Sequence, residues 1–197
     1  MNTITFKDGK YYGTITDGIG FTRSLEEQGW LIKDKKITMV GAGGASTAIM
    51  VQLALDGVKE IIVYNRTMRT EFQEIINNTI IETGCTITLK SLSDLESLKK
   101  DMHSSYLFIN TTGVGMEPML ERSVVPDASY FKPDLKVADI IYQPAVTKML
   151  RLAKEAGCAT MNGELMLLYQ GVESFKIWTG QEMPINEVKK VLGIEVK

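Results

Sequence analysis

The stretch Gly41-Ala42-Gly43-Gly44-Ala45-Ser46 is the first place where residue types and spacing point to chemistry. It directly follows the run Ile37-Thr38-Met39-Val40 and directly precedes the helical stretch Thr47 to Leu55. Small residues at such a junction permit a tight turn and let backbone N–H groups and a helix N-terminus approach a pyrophosphate. Ser46 stands where a dinucleotide fingerprint usually has a third Gly or Ala, and a glycine turn with no ligand is the competing reading. The next apolar run ends in Tyr64-Asn65-Arg66-Thr67. An NAD-specific site usually carries Asp or Glu there for the ribose hydroxyls, whereas a guanidinium forms planar, bidentate, charge-assisted bonds to a 2′-phosphate. Arg66, with Arg69 nearby, therefore points towards NADP, against the alternative of a solvated surface arginine.

Two more loops follow apolar runs: Asn110-Thr111-Thr112-Gly113-Val114-Gly115-Met116 and Tyr142-Gln143-Pro144. In an open α/β sheet the ligand lies at the carboxyl ends of the strands, which makes Thr111, Gly113 and Tyr142 candidates for a nicotinamide end. Each alone reads equally well as turn chemistry. His103, the only histidine, precedes Ser104-Ser105 after a charged run and reads as a surface residue.

These loops need a scaffold, and six apolar runs supply one: 36–40, 60–64, 86–89, 106–109, 137–141 and 159–161, with helical stretches between them. That alternation predicts an α/β, Rossmann-like, doubly wound fold with a mostly parallel six-stranded sheet covered on both faces. Before it, Thr3 to Phe6 and Tyr11 to Ile15 flank an Asp8-Gly9 turn signal, which predicts an N-terminal β-hairpin. Asp17-Gly18 is expected to cap a helix running to about Glu27, with Gly29 as its stop. Leu165, Leu168, Tyr169, Val172 and Phe175 recur on one helical face, and Pro184 opens a last helix ending before Gly193. Gly113 to Pro133 is the least regular region.

Composition narrows the partners. The 197 residues are 44% hydrophobic and 23% charged, values of an ordinary globular chain. With 22 basic against 24 acidic residues, no overall field attracts nucleic acid or an anionic membrane. Cys85 and Cys158 lie far apart without metal-ligand spacing, so they read as reduced core thiols and no metal site is expected. No apolar stretch approaches the roughly 18 residues of a membrane helix, and the start has no apolar signal segment, so a cytoplasmic location is expected.

Taken together, the sequence resembles the nicotinamide-binding part of the shikimate and quinate dehydrogenases. The residues that carry the resemblance are Asn2-Thr3, Thr16-Asp17-Gly18, the Gly41 to Ser46 turn, Asn65-Arg66-Thr67, Asn110 to Met116, Asp139 with Tyr142-Gln143-Pro144 and Thr147, and the tail from Asn162-Gly163 through Gln170 to Gly180. The resemblance implies substrate contacts at Asn2, Asp17, Tyr142 and Gln170. It implies cofactor contacts at Ala42, Gly43, Gly44, Ala45, Asn65, Arg66, Thr67, Thr111, Gly163 and Met166, with Gly41, Gly113, Ile140 and Tyr142 completing the site. Asp17 would be the catalytic carboxylate. Its lysine partner belongs to an N-terminal substrate domain that is expected to be missing from this chain. Residues 1–16 are then read as a hairpin left from that domain and 17–197 as the NAD(P)-binding domain with C-terminal helices.

Two departures stand out. Ile15 replaces the Asn that commonly precedes the Thr-Asp pair, which removes one expected support of Asp17. Met68-Arg69-Thr70-Glu71-Phe72 resembles the quinate/shikimate branch, some members of which accept NAD as well as NADP, so the cofactor is NADP or NAD. The expected reaction is reversible hydride transfer between nicotinamide and shikimate, quinate or their dehydro forms, with the isolated chain inactive or very weak; a homodimer is left open. The rival readings are a dinucleotide-binding module without chemistry and a nucleoside-binding methyltransferase. The latter is disfavoured because the second strand lacks an acid at its end.

Overall fold

A computed structural model describes residues 1–194. The hairpin pairs β1 (Thr3–Lys7) antiparallel with β2 (Lys10–Thr14). Its turn residues Asp8 and Gly9 have φ of 50° and 75°, left-handed values that match the twist of the two strands. After α1 (Asp17–Glu27) comes the alternation β3 (Lys36–Val40), α2 (Gly44–Leu55), β4 (Glu60–Asn65), α3 (Thr70–Thr83), β5 (Thr86–Ser91), α4 (Leu95–Ser104) and β6 (Leu107–Asn110). Then follow β7 (Lys136–Asp139), α5 (Lys148–Glu155), β8 (Ala159–Met161), α6 (Glu164–Thr179) and α7 (Ile185–Leu192). Residues 113–133 are irregular apart from one 3-10 turn at Ala128–Tyr130.

The strand order is β5-β4-β3-β6-β7-β8, and every adjacent pair is parallel. The order reverses between β3 and β6, which in an open α/β sheet is where a ligand crevice opens. Register decides what lines that crevice. Val40 pairs with both Tyr64 and Asn110, and Asn110 pairs with Asp139, so these four residues, at or next to the ends of their strands, lie in one row. Gly41, Thr111 and Ile140 follow their strands directly and Asn65 is the last residue of β4, so four neighbouring loops leave the same edge.

Both faces of the sheet are covered, which is why its strands read as continuous apolar runs. Ile37, Met39, Ile61, Val63 and Ile109 face Phe21, Leu25, Ile49, Met50 and Leu53 of α1 and α2. Val40, Ile62, Phe108 and Val137 face Leu98, Met102, Met149 and Leu150 of α4 and α5. Each such side chain contributes about 1.5–3 kcal/mol on burial. The one polar residue inside β3, Thr38, is satisfied by a 2.9 Å hydroxyl pair with Ser105. Burial also pushes both cysteine thiols up, Cys85 to about 11 with help from Glu60, so they are inert core thiols.

Three details differ from the sequence-based expectation. The sheet is wholly parallel rather than mostly so. Asp17 does not cap α1: it is the first helical residue and Thr16 occupies the cap position, where no side chain bonds to the helix because the Thr16 hydroxyl is turned to Asn2 and Ser174, while Asn2 also engages the Asp17 carboxylate. On α6, Ser174 is buried and Phe175 only half-buried. The helix meets the hairpin at that turn, where Thr3 offers a hydroxyl 2.6 Å from Ser174 Oγ instead of an apolar surface. Helix α1 lies tight on α6 because Gly20 has no side chain; a Cβ there would stand 2.6 Å from the Gln170 nitrogen. Helix α7 is fastened by Lys189, whose Nζ lies 2.7 Å from Glu27, itself the acceptor of the Tyr169 hydroxyl. Among the described residues no helix is long and apolar enough to cross a membrane.

Candidate active site

The glycine turn is held open by its neighbours. Gly41 has a φ of 123° and donates to Tyr64 O at 2.8 Å, while Thr111 Oγ1 donates to Val40 O at 2.7 Å. A Cβ on Gly41 would stand 2.4 Å from that Thr111 hydroxyl, so no other residue fits without a shift. Ser46 is fully buried and its hydroxyl donates to Gly41 O at 2.6 Å. The departure from the usual fingerprint is thus a staple that closes the turn on itself. Helix α2 then starts after Gly43 with no side-chain cap, leaving its first-turn amides directed outward. A Cβ on Gly43 or Gly44 would meet nothing within 4 Å. Open space in front of unpaired amides fits a pyrophosphate, with Ala42 and Ala45 on either side.

At the next strand end, Asn65 Nδ2 donates to Thr67 O at 2.6 Å and shapes the loop that presents Arg66. Arg66 and Arg69 are both exposed, and no ion pair engages either among the described residues. Behind them, the buried Tyr64 hydroxyl donates to Asp101 Oδ2 at 2.6 Å, and Asp101 also meets Lys90 at 2.7 Å and Lys36 at 3.3 Å. Burial works to raise the Asp101 carboxyl, but Lys90, the Tyr64 hydroxyl and Lys36 outweigh it and hold it below the usual carboxylate range. Burial and the Asp101 carboxylate push the Tyr64 phenol well up. This anchor for the end of β4 carried no signal in the sequence, because Lys36, Tyr64, Lys90 and Asp101 come from four separate elements.

Beyond β6 and β7 lies an open cleft of about 670 Å³ lined by Thr111, Thr112, Gly113, Met116, Glu117, Leu120 and Ile140 to Pro144. Thr111, Gly113, Ile140 and Tyr142 therefore line one cleft. Gly163 packs against the backbone of two lining residues: it donates to Ile141 O at 3.0 Å, and a Cβ there would lie 2.0 Å from Ile140 O. Met166 is buried one turn further along α6. Asp139 is fully buried behind the cleft. Its Oδ1 accepts from Asn110 Nδ2 (3.0 Å) and Ile141 N (3.1 Å), and its Oδ2 from the Thr147 hydroxyl (2.8 Å). Burial pushes its carboxyl up to about 6 against the opposing pull of Thr147, Ile141 and Asn110.

The second cluster lies where the hairpin meets α1 and α6. Asn2 Nδ2 lies within donating distance of Asp17 Oδ1 (2.9 Å), Thr16 Oγ1 (3.0 Å) and Gln170 Oε1 (3.2 Å), and Asn2 Oδ1 accepts from Thr16 N at 3.1 Å. The support that Ile15 does not give Asp17 comes instead from Asn2. Behind it, Ser174 Oγ lies 2.6 Å from Thr3 Oγ1 and 3.3 Å from Thr16 Oγ1. Asn2, Asp17 and Gln170 are thus brought together. Tyr142, half exposed, lines the cleft, and no hydrogen bond among the described residues joins it to that cluster. Lys7 and Lys10 are exposed at the hairpin turn, and His103 is exposed on α4 with Nε2 3.2 Å from Ser129 O.

The family model for shikimate/quinate 5-dehydrogenase matches residues 24–148, and that for the shikimate 5′-dehydrogenase C-terminal domain matches residues 163–192. The chain belongs to the shikimate/quinate dehydrogenase family. Within it, the shikimate dehydrogenase (NADP(+)) of Listeria innocua is 43% identical over 196 residues, 98% of this chain and 67% of that relative. The shikimate 5-dehydrogenase of Listeria monocytogenes, solved in complex with shikimate and NAD, superposes with a TM-score of 0.89 at 43% identity, covering 96% of this chain and 66% of that one. The quinate dehydrogenase of Corynebacterium glutamicum, solved with NAD, gives 0.83 at 25% identity, over 96% of this chain and 66% of that one. The chain spans about two thirds of the length of the shikimate/quinate dehydrogenases it matches.

Proposed function

We propose that this chain is the cofactor-holding part of an NAD(P)-dependent shikimate or quinate dehydrogenase, with the carboxylate half of the catalytic pair at its edge. The observation that carries the reading is helix α6. It starts on the cleft, at Gly163 against Ile140, and two turns later presents Gln170 to Asn2 and Asp17. One helix thereby borders both a nicotinamide cleft and a polar cluster suited to a hydroxylated ring. Residues 1–16 are read as part of the substrate-binding side and 17–197 as the dinucleotide-binding domain.

The amides from Gly43 to Ser46 would hold the pyrophosphate, Arg66 a 2′-phosphate where the cofactor is NADP, and Thr111, Gly113, Ile140, Tyr142, Gly163 and Met166 the nicotinamide end. When bound, the nicotinamide supplies or accepts the hydride. The chain's own residues do the rest. Asn2 and Gln170 place their amide groups for ring hydroxyls, and Asp17 stands beside the oxygen that gains or loses a proton. A carboxylate there acts best beside a cation, since each member of such a pair shifts the other's pKa and positions the proton. The relatives' additional third is read as the source of that cation. Alone, the 197-residue chain is expected to bind dinucleotide and turn over shikimate or quinate negligibly. Titration calorimetry with NADP+ and NAD+ checks the first half and a nicotinamide absorbance assay the second; absence of binding to both cofactors overturns the reading.

A further inference from the structure

We propose that Asp139 is a positioning residue that sets the spacing between the two loops forming the nicotinamide cleft. The inference rests on the reading that this cleft receives the nicotinamide half of the cofactor. Asp139 lines no surface itself, yet two of the three groups it touches, Asn110 and Ile141 N, lead to walls of the cleft. On one side it accepts from Asn110 Nδ2 at 3.0 Å. Asn110 Oδ1 in turn accepts from both the backbone N–H (3.1 Å) and the hydroxyl (2.7 Å) of Thr112, and its Nδ2 also reaches Val114 O at 3.2 Å. The loop from Thr112 to Val114 is therefore set by the Asn110 side chain. On the other side Asp139 accepts from Ile141 N, the backbone that leads into Tyr142. Its second oxygen accepts from Thr147, whose hydroxyl caps α5 by accepting from Leu150 N at 3.3 Å.

A single carboxylate thus joins the loop after β6, the loop after β7 and the start of α5. Burying an acid is costly, and nothing in core packing requires one at this point. A carboxylate suits the position because it offers acceptor lone pairs and no obligatory donor, and three donors converge on it from three segments. Small changes in loop spacing would alter the fit of a nicotinamide received by the cleft that Thr111 and Ile140 line. The adenosine half of the cofactor would lie at Gly43 to Arg66, held by contacts in which Asp139 takes no part.

That separation gives the test. Adenosine 2′,5′-bisphosphate reaches only the adenosine half, whereas NADP+ needs both halves. In the 197-residue chain Asp139→Ala leaves three donors without an acceptor, and NADP+ affinity should fall at least about 10-fold while adenosine 2′,5′-bisphosphate affinity stays within about 2-fold. Asp139→Asn keeps an oxygen for Asn110 and Ile141 and should restore NADP+ binding to within about 3-fold of the wild type. Thr112→Val removes the hydroxyl that donates to Asn110 Oδ1 and accepts from Val114 N, leaving the bonds of Asn110 to Thr112 N and Val114 O; this partial loosening of the loop should show the same selectivity at about 3- to 5-fold and decides the matter if Asp139→Ala does not fold. Equal losses for the two ligands, or no loss with either variant, overturn the proposal. Should the wild type bind NADP+ no more tightly than the bisphosphate, the placing of nicotinamide in the cleft fails and the inference fails with it.

Discussion

The cofactor edge and the hairpin edge are made from different materials. At the cofactor edge, contacts run through backbone groups, buried hydroxyls and one buried carboxylate, each with its partners inside the chain: Ser46 on Gly41, Thr111 on Val40, Asp139 on Asn110 and Thr147. The hairpin edge uses the exposed side-chain amide of Asn2 and partly exposed Asp17 and Gln170. Beyond them, Ile4, Phe6 and Tyr11 form an apolar face that is 52%, 64% and 79% exposed. One edge is preorganised, with its donors pre-aimed; the other has aimed groups on one side only. On the proposed reading, the first edge is expected to bind dinucleotide by itself and the second to need further surface before it acts.

The sharpest way to break this contrast is to complete the second edge. In a chain extended to the full length of the relatives, Asp17→Asn keeps size but removes charge and proton-accepting power. The kcat should fall by about 10²-fold or more while cofactor affinity hardly changes. Full activity in that variant would show that the hairpin edge is only scaffolding. Next in size, Arg66→Ala should weaken NADP+ binding by about 1–3 kcal/mol and leave NAD+ nearly untouched, as calorimetry on both cofactors will read. Equal losses would place Arg66 on the adenine or in the turn instead.

A third measurement probes the preorganised edge through its buried acid. Asp139 titrates at about 6 in the folded chain against about 3.9 when unfolded, so folding takes up a proton between those values. Its contribution to stability is therefore fullest below about pH 4, falls as pH rises towards 6 and stays flat above. Denaturant melts of wild type and Asp139→Asn should diverge with that slope, by about 1–3 kcal/mol across the window. Parallel curves would mean the site holds its charge without penalty. The smallest effect is expected for Ser46→Ala, about 1 kcal/mol in stability with a similar loss of affinity for both dinucleotides, since the staple fixes the shared turn. A loss confined to one cofactor would contradict that role.

Much of the cofactor edge was legible because it is local. The glycine turn, the asparagine and arginine after β4 and the loop after β6 each sit in a few consecutive residues, and six apolar runs are enough to place them on one sheet edge. Register was not legible, so the alignment of Val40, Tyr64, Asn110 and Asp139 had to come from the structure. Long-range side-chain contacts were equally hidden. Asn2 and Gln170 are 168 residues apart in sequence and meet where α1, close against α6 at Gly20, is joined by the entry to β1. The burial of Ser174 in place of Phe175 escaped an apolar-face count for the same reason, since hydroxyl pairing across elements leaves no periodic trace. The start of α1 is hidden for the same reason: Thr16 and Asp17 are both cap-type residues, and it is the long-range partner Asn2 that draws the Thr16 hydroxyl and the Asp17 carboxylate away from the helix end.

Helix α6 also acts as a ruler. Gly163, at its cap, and Gln170 are seven residues apart, close to two full turns, so they lie on nearly the same side of one rod about 10 Å from each other. A bound nicotinamide and a bound ring would then share a fixed gauge that no hinge can stretch. Any closing motion of the rest of such an enzyme would alter how tightly the ring is covered, while leaving the register between the two reactants unchanged.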